Sequence, residues 1–450
     1  MISHKRIAIL VAGGPAPGIN SVISAATIRA IMEKNEVVGI HDGFKWIMRG
    51  DISHHSILNI DSVSRIHFRG GSHIGIARDN PTKEKKHLEN TVTSLLRLNV
   101  DRLITIGGDD TAYSAKCVEE MADGRIRVVH VPKTIDNDLA LPFGLPTFGY
   151  QTARHIGVEI VKNIMVDAQT TSRWYFVVSM GRNAGHLALG IGKAAGATLS
   201  IIPEEFAPGK ISLMNIVDIL VGAIIKRMSY GKQDGVAILA EGLIDRIDPT
   251  DLEKLAEIER DAHNNVRFAE INFGEILKML VQKRLEQFGQ KATLVAKNIG
   301  YELRCADPIP YDMEYTRDLG YCAADFIING GNAAMVSVQN GNFVPMYFKD
   351  IMDPKTGRTK VRLVDIHSES YQIARNYMLR LNTDDFNDPH ELAKFADTCG
   401  MTLDDFRKQF YYLLENDQLF SQEIQHEDAS QVPDLPVEKK EKEAAKKAKK

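Results

Sequence analysis

Two short apolar runs, each followed directly by a turn rich in glycine or aspartate, constrain the fold of this chain most strongly. The run Leu103–Ile106 leads into the turn Gly107–Thr111, and the run Val128–Val131 leads into the turn Pro132–Asp138. Runs of about four β-branched and apolar residues predict buried parallel strands. Because ligand sites in open α/β sheets lie past the carboxyl ends of the strands, both turns are expected to line one crevice. Solvated surface turns would explain each segment singly but fit the pair poorly.

A third unit of the same kind opens the chain. Arg6–Ala12 predicts a strand, the glycine turn 13–18 follows, and apolar residues then recur at helical spacing over 19–30. A glycine turn that leads into a helix N-terminus offers backbone N–H groups and the helix dipole to an anion. The turn matches neither the dinucleotide fingerprint nor the phosphate loop of nucleotide-binding proteins. An anion site of another kind is therefore expected here.

The pattern restarts after residue 150. A helix is expected over 151–167, and the predicted strands Trp174–Ser179 and Gly235–Ala240 lead into turns at 180–186 and 241–242. Charged side chains again follow the strand ends. Two such units facing each other would form a cleft, with the aspartate-rich turns on one wall and Arg182 and Glu241 on the other.

The rest of the chain is less specific. Residues 248–290 are charged and helical in character, 316–336 look helical with a break at 329–332, and 339–342 predict a hairpin. Helices are expected over 365–420. Apolar residues thin out after that, so 425–450 predicts a disordered charged tail or a solvated helix.

Composition excludes several classes of protein. A chain of 450 residues with 44% hydrophobic and 25% charged residues is typical of a globular protein of two or three domains. A formal net charge of −4 gives no support to a nucleic-acid partner. The sequence contains no run of 18 apolar residues and no signal-peptide core, so no membrane span is expected. Four scattered cysteines fit reduced thiols, and a cytoplasmic location is expected.

The turns together carry the groups that phosphoryl transfer needs. Asp136 and Asp138, on a segment expected to be extended, would point to one side, and two close carboxylates can raise one pKa toward neutrality, as a general base requires. Asp109 and Asp110 offer oxygen ligands to Mg²⁺. Lys133 and the amides of the glycine turn offer positive potential to phosphate. A base, a metal and cations are the set that phosphoryl transfer uses.

Seven motifs, taken in order, resemble those of the 6-phosphofructokinases over roughly residues 5–350. They are GGPAPGIN at 13–20, RGGSHIGIAR at 69–78, GGDDT at 107–111, PKTIDND at 132–138, MGRNAGH at 180–186, AEG at 240–242 and GYELR at 300–304. The details are similar to the pyrophosphate-dependent branch. ATP users typically carry glycine in place of Asp110, whose carboxylate would fill and charge the space of a nucleotide α-phosphate. The cation Lys133 and the tyrosine at position 301 also fit that branch.

The resemblance implies reversible transfer of a phosphoryl group from pyrophosphate to the 1-hydroxyl of fructose 6-phosphate. The products would be fructose 1,6-bisphosphate and phosphate, the ion Mg²⁺, and the setting glycolysis and gluconeogenesis. Asp136 would be the base with Asp138 in support, Asp109 would bind the metal, and Thr134 and Arg182 would face the phosphoryl group. The implied binding residues are Gly14, Arg78, Asp110 and Lys133 for the donor, and Thr134, Asp136, Arg173, Met180, Gly181, Arg182, Glu241, Tyr301 and Arg304 for the sugar.

The same resemblance implies two Rossmann-like three-layer α/β/α domains with chain crossovers and a helical C-terminal extension. The donor domain would comprise 1–147 and about 305–360, and the sugar domain 148–304 and about 361–424. A homodimer or homotetramer is implied, with Arg173 reaching into the neighbouring subunit. Many relatives carry another cross-subunit arginine where this chain has Val295. Lys297 lies nearby and is not assigned that role.

Three alternatives stay open from the sequence. The first is an ATP-dependent 6-phosphofructokinase, which the residue at position 110 argues against. The second is a catalytically inactive regulatory subunit of the same fold, which would be expected to have a broken TIDND or GGD motif, and both are intact. The third is another acceptor, such as sedoheptulose 7-phosphate.

Overall fold

The apolar runs of the sequence form the strands of two sheets. The computed structural model describes residues 5–251, 272–353 and 359–414. In chain order the described strands are β1 (Arg6–Val11), β2 (Glu36–Ile40), β3 (His55–Leu58), β4 (Arg102–Gly107), β5 (Arg127–Pro132), β6 (Trp174–Ser179), β7 (Leu199–Ile201), β8 (Gly235–Ala240), β9 (Leu294–Ile299), β10 (Ala334–Gln339) and β11 (Asn342–Tyr347). The expected α/β fold class is confirmed.

The two sheets have different strand orders and sizes. The larger runs β11-β10-β5-β4-β1-β2-β3, and the smaller runs β7-β8-β6-β9. All pairs are parallel except β10 with β11 and β2 with β3, at the two edges of the larger sheet. Interior strands such as β1 and β4 are buried along nearly their whole length. Strands covered on both faces are expected to have nearly continuous apolar sequences, as these do.

Helices connect the strands and cover the sheets. The described α-helices are α1 (Ile19–Met32), α2 (Ile60–Val63), α3 (Lys85–Arg97), α4 (Asp109–Ala122), α5 (Tyr150–Thr171), α6 (His186–Ala195), α7 (Leu213–Ser229), α8 (Leu243–Arg246), α9 (Phe273–Gln287), α10 (Tyr301–Arg304), α11 (Pro310–Ile328), α12 (Phe348–Ile351), α13 (Glu369–Asn376), α14 (Thr383–Asn387), α15 (Pro389–Thr398) and α16 (Leu403–Phe410). In the part of the chain that the structure describes, none of them has both the length and the apolar character needed to span a bilayer.

The glycine turn after β1 is fixed by close packing against α11. Gly18, which precedes α1, has a left-handed φ of 105°. A Cβ at this position would lie 2.6 Å from Cγ2 of Thr316 on α11. Only glycine combines this backbone conformation with this approach. Close packing against α11 therefore explains why the turn has glycine at position 18.

The segment 316–336 corrects one expectation. Helix α11 ends at Ile328, and residues 334–336 begin strand β10 instead of continuing a helix. An apolar run of this length is compatible with either element, and parallel pairing with β5 makes it a strand here. The hairpin expected at 339–342 is confirmed, because Asn340 and Gly341 both have positive φ, 50° and 76°. Of the charged region 248–290, α9 confirms the helical character from Phe273, and 252–271 lies outside the described residues.

The C-terminal extension is helical, as expected, as far as it is described. Helices α13 to α16 lie within 369–410, and residues 415–420 and the tail 425–450 fall outside the described residues. Phenylalanines of α14 to α16 join the apolar core formed around α7 and the smaller sheet. Two buried ion pairs add to this contact: Lys226 with Asp385 at 2.6 Å, and Arg380 with Glu205 at 2.7 Å. The extension is therefore an integral part of the fold.

Candidate active site

Strand register brings the three turns of the larger sheet together. Val11 of β1 pairs with Ile106 of β4, and Gly107 of β4 pairs with Pro132 of β5. The turns that follow these strands therefore start at one edge of the sheet, side by side. They are adjacent, as turns that line one crevice would have to be.

Lys133 lies at the centre of this edge. Its side chain is 4% exposed, and its ammonium group donates a hydrogen bond to the carbonyl oxygen of Gly14. A Cβ at Gly13 would lie 3.5 Å from the same Nζ, an ordinary contact, so it is the left-handed φ of Gly13, 89°, that favours glycine here. Burial, and then the nearby Arg304 and Arg78, lower the pKa of Lys133 to about 8.

Two arginines, Arg78 and Arg304, lie near Lys133. Arg78 follows Ala77, whose carbonyl accepts a 2.9 Å hydrogen bond from the N–H of Gly13. Arg304 comes from α10, and its guanidinium carbon would lie 3.5 Å from a Cβ at Gly14. The resemblance assigned Arg304 to the sugar, and the structure puts its head group against the donor-side turn. This cluster of three cations is a strong anion site.

Asp109 and Asp110 occupy the first turn of α4, where the helix dipole favours negative charge. One carboxylate oxygen of Asp109 accepts two hydrogen bonds from Thr359, from the backbone N–H at 2.8 Å and from the hydroxyl at 2.5 Å. Asp110 is exposed. Sequence reasoning missed Thr359, which lies 250 residues from its partner.

Asp109 offers a single carboxylate to a metal ion. Among the described residues no group of three or more His, Cys, Asp or Glu side chains is arranged to hold a metal ion. A single carboxylate such as Asp109 suits Mg²⁺, which keeps several waters and takes the rest of its ligands from phosphate oxygens. The residues present fit an ion that arrives with the phosphate.

The turn that carries Asp136 and Asp138 is bent, which corrects the expectation of an extended segment. Asn137 between them has a left-handed φ of 57°. An asparagine tolerates this conformation better than most residues. The two carboxylates are nevertheless close, since the charge of Asp138 raises the pKa of Asp136. Withdrawal from water is the larger cause, and together they raise the pKa of Asp136 to about 6.

Loops of the smaller sheet meet this turn from the opposite wall. Asp136 accepts a hydrogen bond from the backbone N–H of Arg182, and Oδ2 of Asp138 accepts one from Nδ2 of Asn183 at 3.1 Å. The N–H of Asp136 donates to the hydroxyl oxygen of Thr134 at 3.1 Å. Asn183 belongs to the MGRNAGH motif but was not singled out as a site residue from the sequence.

The expected sugar-side residues follow three paired strands. Ser179 of β6 pairs with Ala240 of β8 and Ile299 of β9, so the segments after these strands are adjacent. Glu241 accepts a 3.4 Å hydrogen bond from the N–H of Gly181. Gly242 lies so close to the Arg182 carbonyl that a Cβ would be 2.4 Å from that oxygen.

These segments line a cleft of about 740 Å³ among the described residues. Its wall includes Met180, Arg182, Glu241 and Tyr301, four of the expected sugar-binding residues, and also Lys210, which sequence reasoning missed. The side chain of Tyr301 is 80% exposed within it. Arg182 is exposed as well, and its Nε lies 3.2 Å from Asp245.

Arg173 is not brought to the site of its own chain. It precedes the first residue of β6, whereas Met180 and Arg182 follow the last. A strand of six residues separates these ends by about 20 Å. Val295 and Lys297 lie on β9, paired with Tyr175 and Val177. A role for Arg173 in sugar binding would need a second subunit.

Comparison with known proteins agrees with this architecture. Residues 6–327 match the phosphofructokinase family model. A pyrophosphate–fructose 6-phosphate 1-phosphotransferase from Thermotoga maritima is 50% identical over 416 residues, which is 91% of this chain and 99% of the relative. A protein of the same name from Naegleria fowleri is 47% identical over 418 residues, 91% of this chain and 96% of its own length.

A solved structure shares the fold at low sequence identity. The pyrophosphate-dependent phosphofructokinase from Nitrosospira multiformis matches with a TM-score of 0.63 at 16% identity, over 83% of this chain and 91% of that one. Identity this low speaks for the fold alone. The family model and the relatives together cover most of the sequence, and the chain belongs to the phosphofructokinase family.

Proposed function

We propose that this protein transfers a phosphoryl group from pyrophosphate to the 1-hydroxyl of fructose 6-phosphate, reversibly, giving fructose 1,6-bisphosphate and phosphate. One observation carries the proposal: loops that follow the strands of the larger sheet and of the smaller sheet meet at Asp136. A carboxylate with a pKa of about 6 lies between a cluster of cations and the sugar-side cleft. The 50% identity to a relative named for this reaction supports the same substrates.

Asp136 supplies the base. A carboxylate of this pKa is ionised at neutral pH, yet it is a better proton acceptor than an ordinary aspartate. It takes the proton of the sugar hydroxyl as the oxygen attacks phosphorus. Burial and the charge of Asp138 keep that pKa high, and Thr134 orients the turn through its hydrogen bond to the Asp136 N–H.

Cations hold the donor. Lys133, Arg78 and the amides around Gly14 bind pyrophosphate, and Arg182 stabilises the negative charge that grows on the moving group. The exposure of the Arg182 side chain leaves it able to turn from Asp245 toward the phosphate. Met180, Gly181, Glu241 and Tyr301 hold the sugar in the cleft, and Arg304 binds phosphate where the cleft meets the donor-side turn.

Phosphofructokinases generally need a divalent metal ion. We propose Mg²⁺ held by Asp109 together with pyrophosphate oxygens and water. When bound, the ion neutralises part of the phosphate charge. We further propose that 1–147 with about 305–360 forms the donor domain, that 148–304 with about 361–424 forms the sugar domain, and that the protein acts in the cytoplasm as a homodimer or homotetramer.

Donor choice tests the proposal, and Asp110 is the residue to change. Two charges about 4 Å apart at an effective dielectric near 20 repel by roughly 4 kcal/mol, and screening lowers that figure. Asp110→Gly removes both the charge and the side chain. We therefore expect kcat/KM for ATP to rise about a hundredfold, or roughly 2.7 kcal/mol, while wild type prefers pyrophosphate.

One further variant separates charge from size, and a second is a control. Asp110→Asn keeps the size and removes the charge, so it should recover part of the gain if repulsion contributes. Asp123→Gly changes an aspartate at the opposite end of α4 and should leave kcat/KM unchanged with both donors. Wild-type preference for ATP would overturn the proposed donor, and an Asp110→Gly variant without gain would overturn the account of donor choice.

A further inference from the structure

A short segment of the C-terminal part of the chain crosses the active site. We call residues 359–364 the C-terminal strap. At one end Thr359 donates two hydrogen bonds to Asp109, the expected metal ligand. At the other end the N–H of Val364 donates to Glu204 at 3.1 Å, and the same Glu204 oxygen accepts the N–H of Gly185 at 2.8 Å. The strap thus connects the donor wall to the sugar wall.

Arg362 lies midway along the strap. We call the turn that carries Asp136 and Asp138 the catalytic turn, and all three guanidinium nitrogens of Arg362 donate hydrogen bonds to it or to the segment that follows it. Its Nε donates to the carbonyl oxygen of Asn137 at 3.0 Å, and its Nη1 donates to that of Leu145 at 2.7 Å. Its Nη2 donates to the Oδ1 of Asn137. The backbone N–H of Arg362 adds a 2.8 Å hydrogen bond to the carbonyl oxygen of Asp138. Four donors of one residue therefore hold the segment 137–145.

Asn137 is the residue whose conformation decides where the two carboxylates point. Its left-handed φ of 57° turns the chain between Asp136 and Asp138. Asn137 is 8% exposed, and its Oδ1 also accepts the N–H of Thr147 at 3.0 Å. Asparagine enters this conformation more readily than most non-glycine residues, but contacts are still needed to hold it as the one conformation of the turn. Arg362 supplies two of the contacts that fix it.

The strap also touches the loop that approaches from the sugar side. The imidazole Nε2 of His186 lies 3.1 Å from the carbonyl oxygen of Arg362. His186 ends the motif in which Asn183 donates to Asp138. Arg362 therefore contacts both segments that meet here: the turn with Asp136 and Asp138, and the sugar-side loop that ends at His186.

We propose that Arg362 is a positioning residue for phosphoryl transfer, which holds Asn137 in its left-handed conformation so that Asp136 and Asp138 face the same acceptor hydroxyl. The inference rests on the proposed function, since it concerns the same carboxylates. Arg362 lies beyond residues 6–327, the part that matches the family model. The strap therefore lies C-terminal to the part of the chain that matches the family model, and it contributes to a site that this part builds.

Kinetics of two Arg362 variants test the proposal. Arg362→Gln removes the guanidinium, and Arg362→Lys keeps the charge but replaces a planar three-bond contact by a point cation. We expect kcat with pyrophosphate and fructose 6-phosphate to fall at least tenfold in Arg362→Gln and less in Arg362→Lys. KM for fructose 6-phosphate should stay within about threefold, because the sugar contacts of the opposite wall remain.

Arg407→Gln is the matched control. Arg407 is also a half-buried arginine of the C-terminal extension, and its Nη2 donates to a backbone carbonyl, that of Phe386, at 2.6 Å. It lies outside the site, so kcat should stay unchanged. An equal loss of kcat in both variants, or a kcat of Arg362→Gln within threefold of wild type, would overturn the proposal.

Hydrogen exchange gives a readout that does not depend on turnover. Amides of the segment 134–147 should exchange faster in Arg362→Gln than in wild type, and Arg407→Gln should leave them unchanged. Unaltered exchange in this segment would contradict positioning by Arg362 even if kcat fell. A wild-type protein without activity on these substrates would instead refute the proposed function, and the exchange experiment would still decide the role of Arg362 in the turn.

Discussion

Asp136 and Lys133 lie three residues apart, and their environment moves their pKa values toward each other. Burial and the charge of Asp138 raise the pKa of the carboxyl to about 6, although Arg304 opposes the shift. Burial, Arg304 and Arg78 lower the pKa of the lysine to about 8, although Asp136 opposes that shift. Between the two values the base is ionised and the lysine is charged. This window of pH is where phosphoryl transfer finds both groups in the form it needs.

The pH dependence of kcat/KM should reflect this pair. Below about pH 6 Asp136 becomes protonated and cannot accept the sugar proton, and above about pH 8 Lys133 loses its charge and its hold on pyrophosphate. A bell-shaped profile is therefore expected. Asp138→Asn removes a like charge, which should move the acid limb to lower pH. The donor titrates alike in both proteins, so an acid limb that stays in place would contradict the assignment.

Replacing the base should affect turnover far more than binding. Asp136→Asn keeps the shape of the side chain, but the amide cannot accept the hydroxyl proton. Loss of a general base typically lowers kcat by about 10²–10⁴-fold. The dissociation constant for fructose 6-phosphate, measured by calorimetry, should change little. Retention of more than about a tenth of the wild-type kcat would rule out Asp136 as the base.

Most interior strands of the two sheets were predictable from the sequence, but the edge strands β3, β7 and β9 were not, and the pattern at the start of the interior strand β10 favoured a helix. Strands β1, β4, β5, β6 and β8 are apolar runs that end at chemically distinctive turns. Strands β3, β7 and β9 were missed, because they are short or carry exposed polar residues such as Lys297 and Asn298. Their pairing depends on neighbours that are distant in the sequence, which local patterns do not contain.

The bend at Asn137 shows a similar limit within the site. The residues of the catalytic turn were predictable because phosphoryl transfer needs their chemistry. Their backbone was not, since the left-handed conformation depends on Arg362, 225 residues away. Thr359 escaped prediction in the same way, and so did the contact of Arg304 with the donor-side turn, because both follow from packing between separate parts of the chain.

Strand β6 separates Arg173 from the rest of the sugar-side residues, so its role can be tested by mixing subunits. If Arg173 reaches a neighbour, Arg173→Ala and Asp136→Asn oligomers should regain activity when their subunits exchange, since one site then receives an intact set. Mixtures of Asp136→Asn with Asp138→Asn, which damage the same turn, should gain nothing. Absence of recovery, with exchange confirmed by mass spectrometry, would show that Arg173 does not act across an interface.

At the scale of the whole molecule, charged contacts attach the C-terminal extension to the sugar-side core. Lys226 of α7 binds Asp385 at 2.6 Å and also donates to the carbonyl of Arg380. Arg284 of α9 pairs with Asp218 at 2.9 Å and binds Gln409. These pairs are largely buried, so each charged group is stabilised by its partner in place of water.

Breaking one of these pairs should destabilise the protein strongly. Asp385→Ala leaves the buried ammonium of Lys226 without its counter-charge, which typically costs about 3–5 kcal/mol of the free energy of unfolding. Urea denaturation followed by tryptophan fluorescence measures the change. Glu159→Ala, at an exposed ion pair with Lys162, should leave the unfolding midpoint almost unchanged.

A compensating change separates the charge from the packing. In the double variant Lys226→Met with Asp385→Leu, both charges are replaced by apolar groups, and most of the lost stability should return. A double variant as unstable as Asp385→Ala would mean that the hydrogen bond to Arg380 or the local packing, and not the unpaired charge, governs stability here.

The position of the strap late in the sequence fixes the order in which a growing chain can complete its catalytic turn. All seven motifs precede residue 305, and a ribosome has therefore made every donor- and sugar-binding residue well before it adds Arg362. Until then the carbonyl and amide oxygens of Asn137 lack the guanidinium that binds them in the finished fold. A chain interrupted before this point contains the reacting groups without the Arg362 contacts, so a segment synthesised late decides when the turn made early reaches its final conformation.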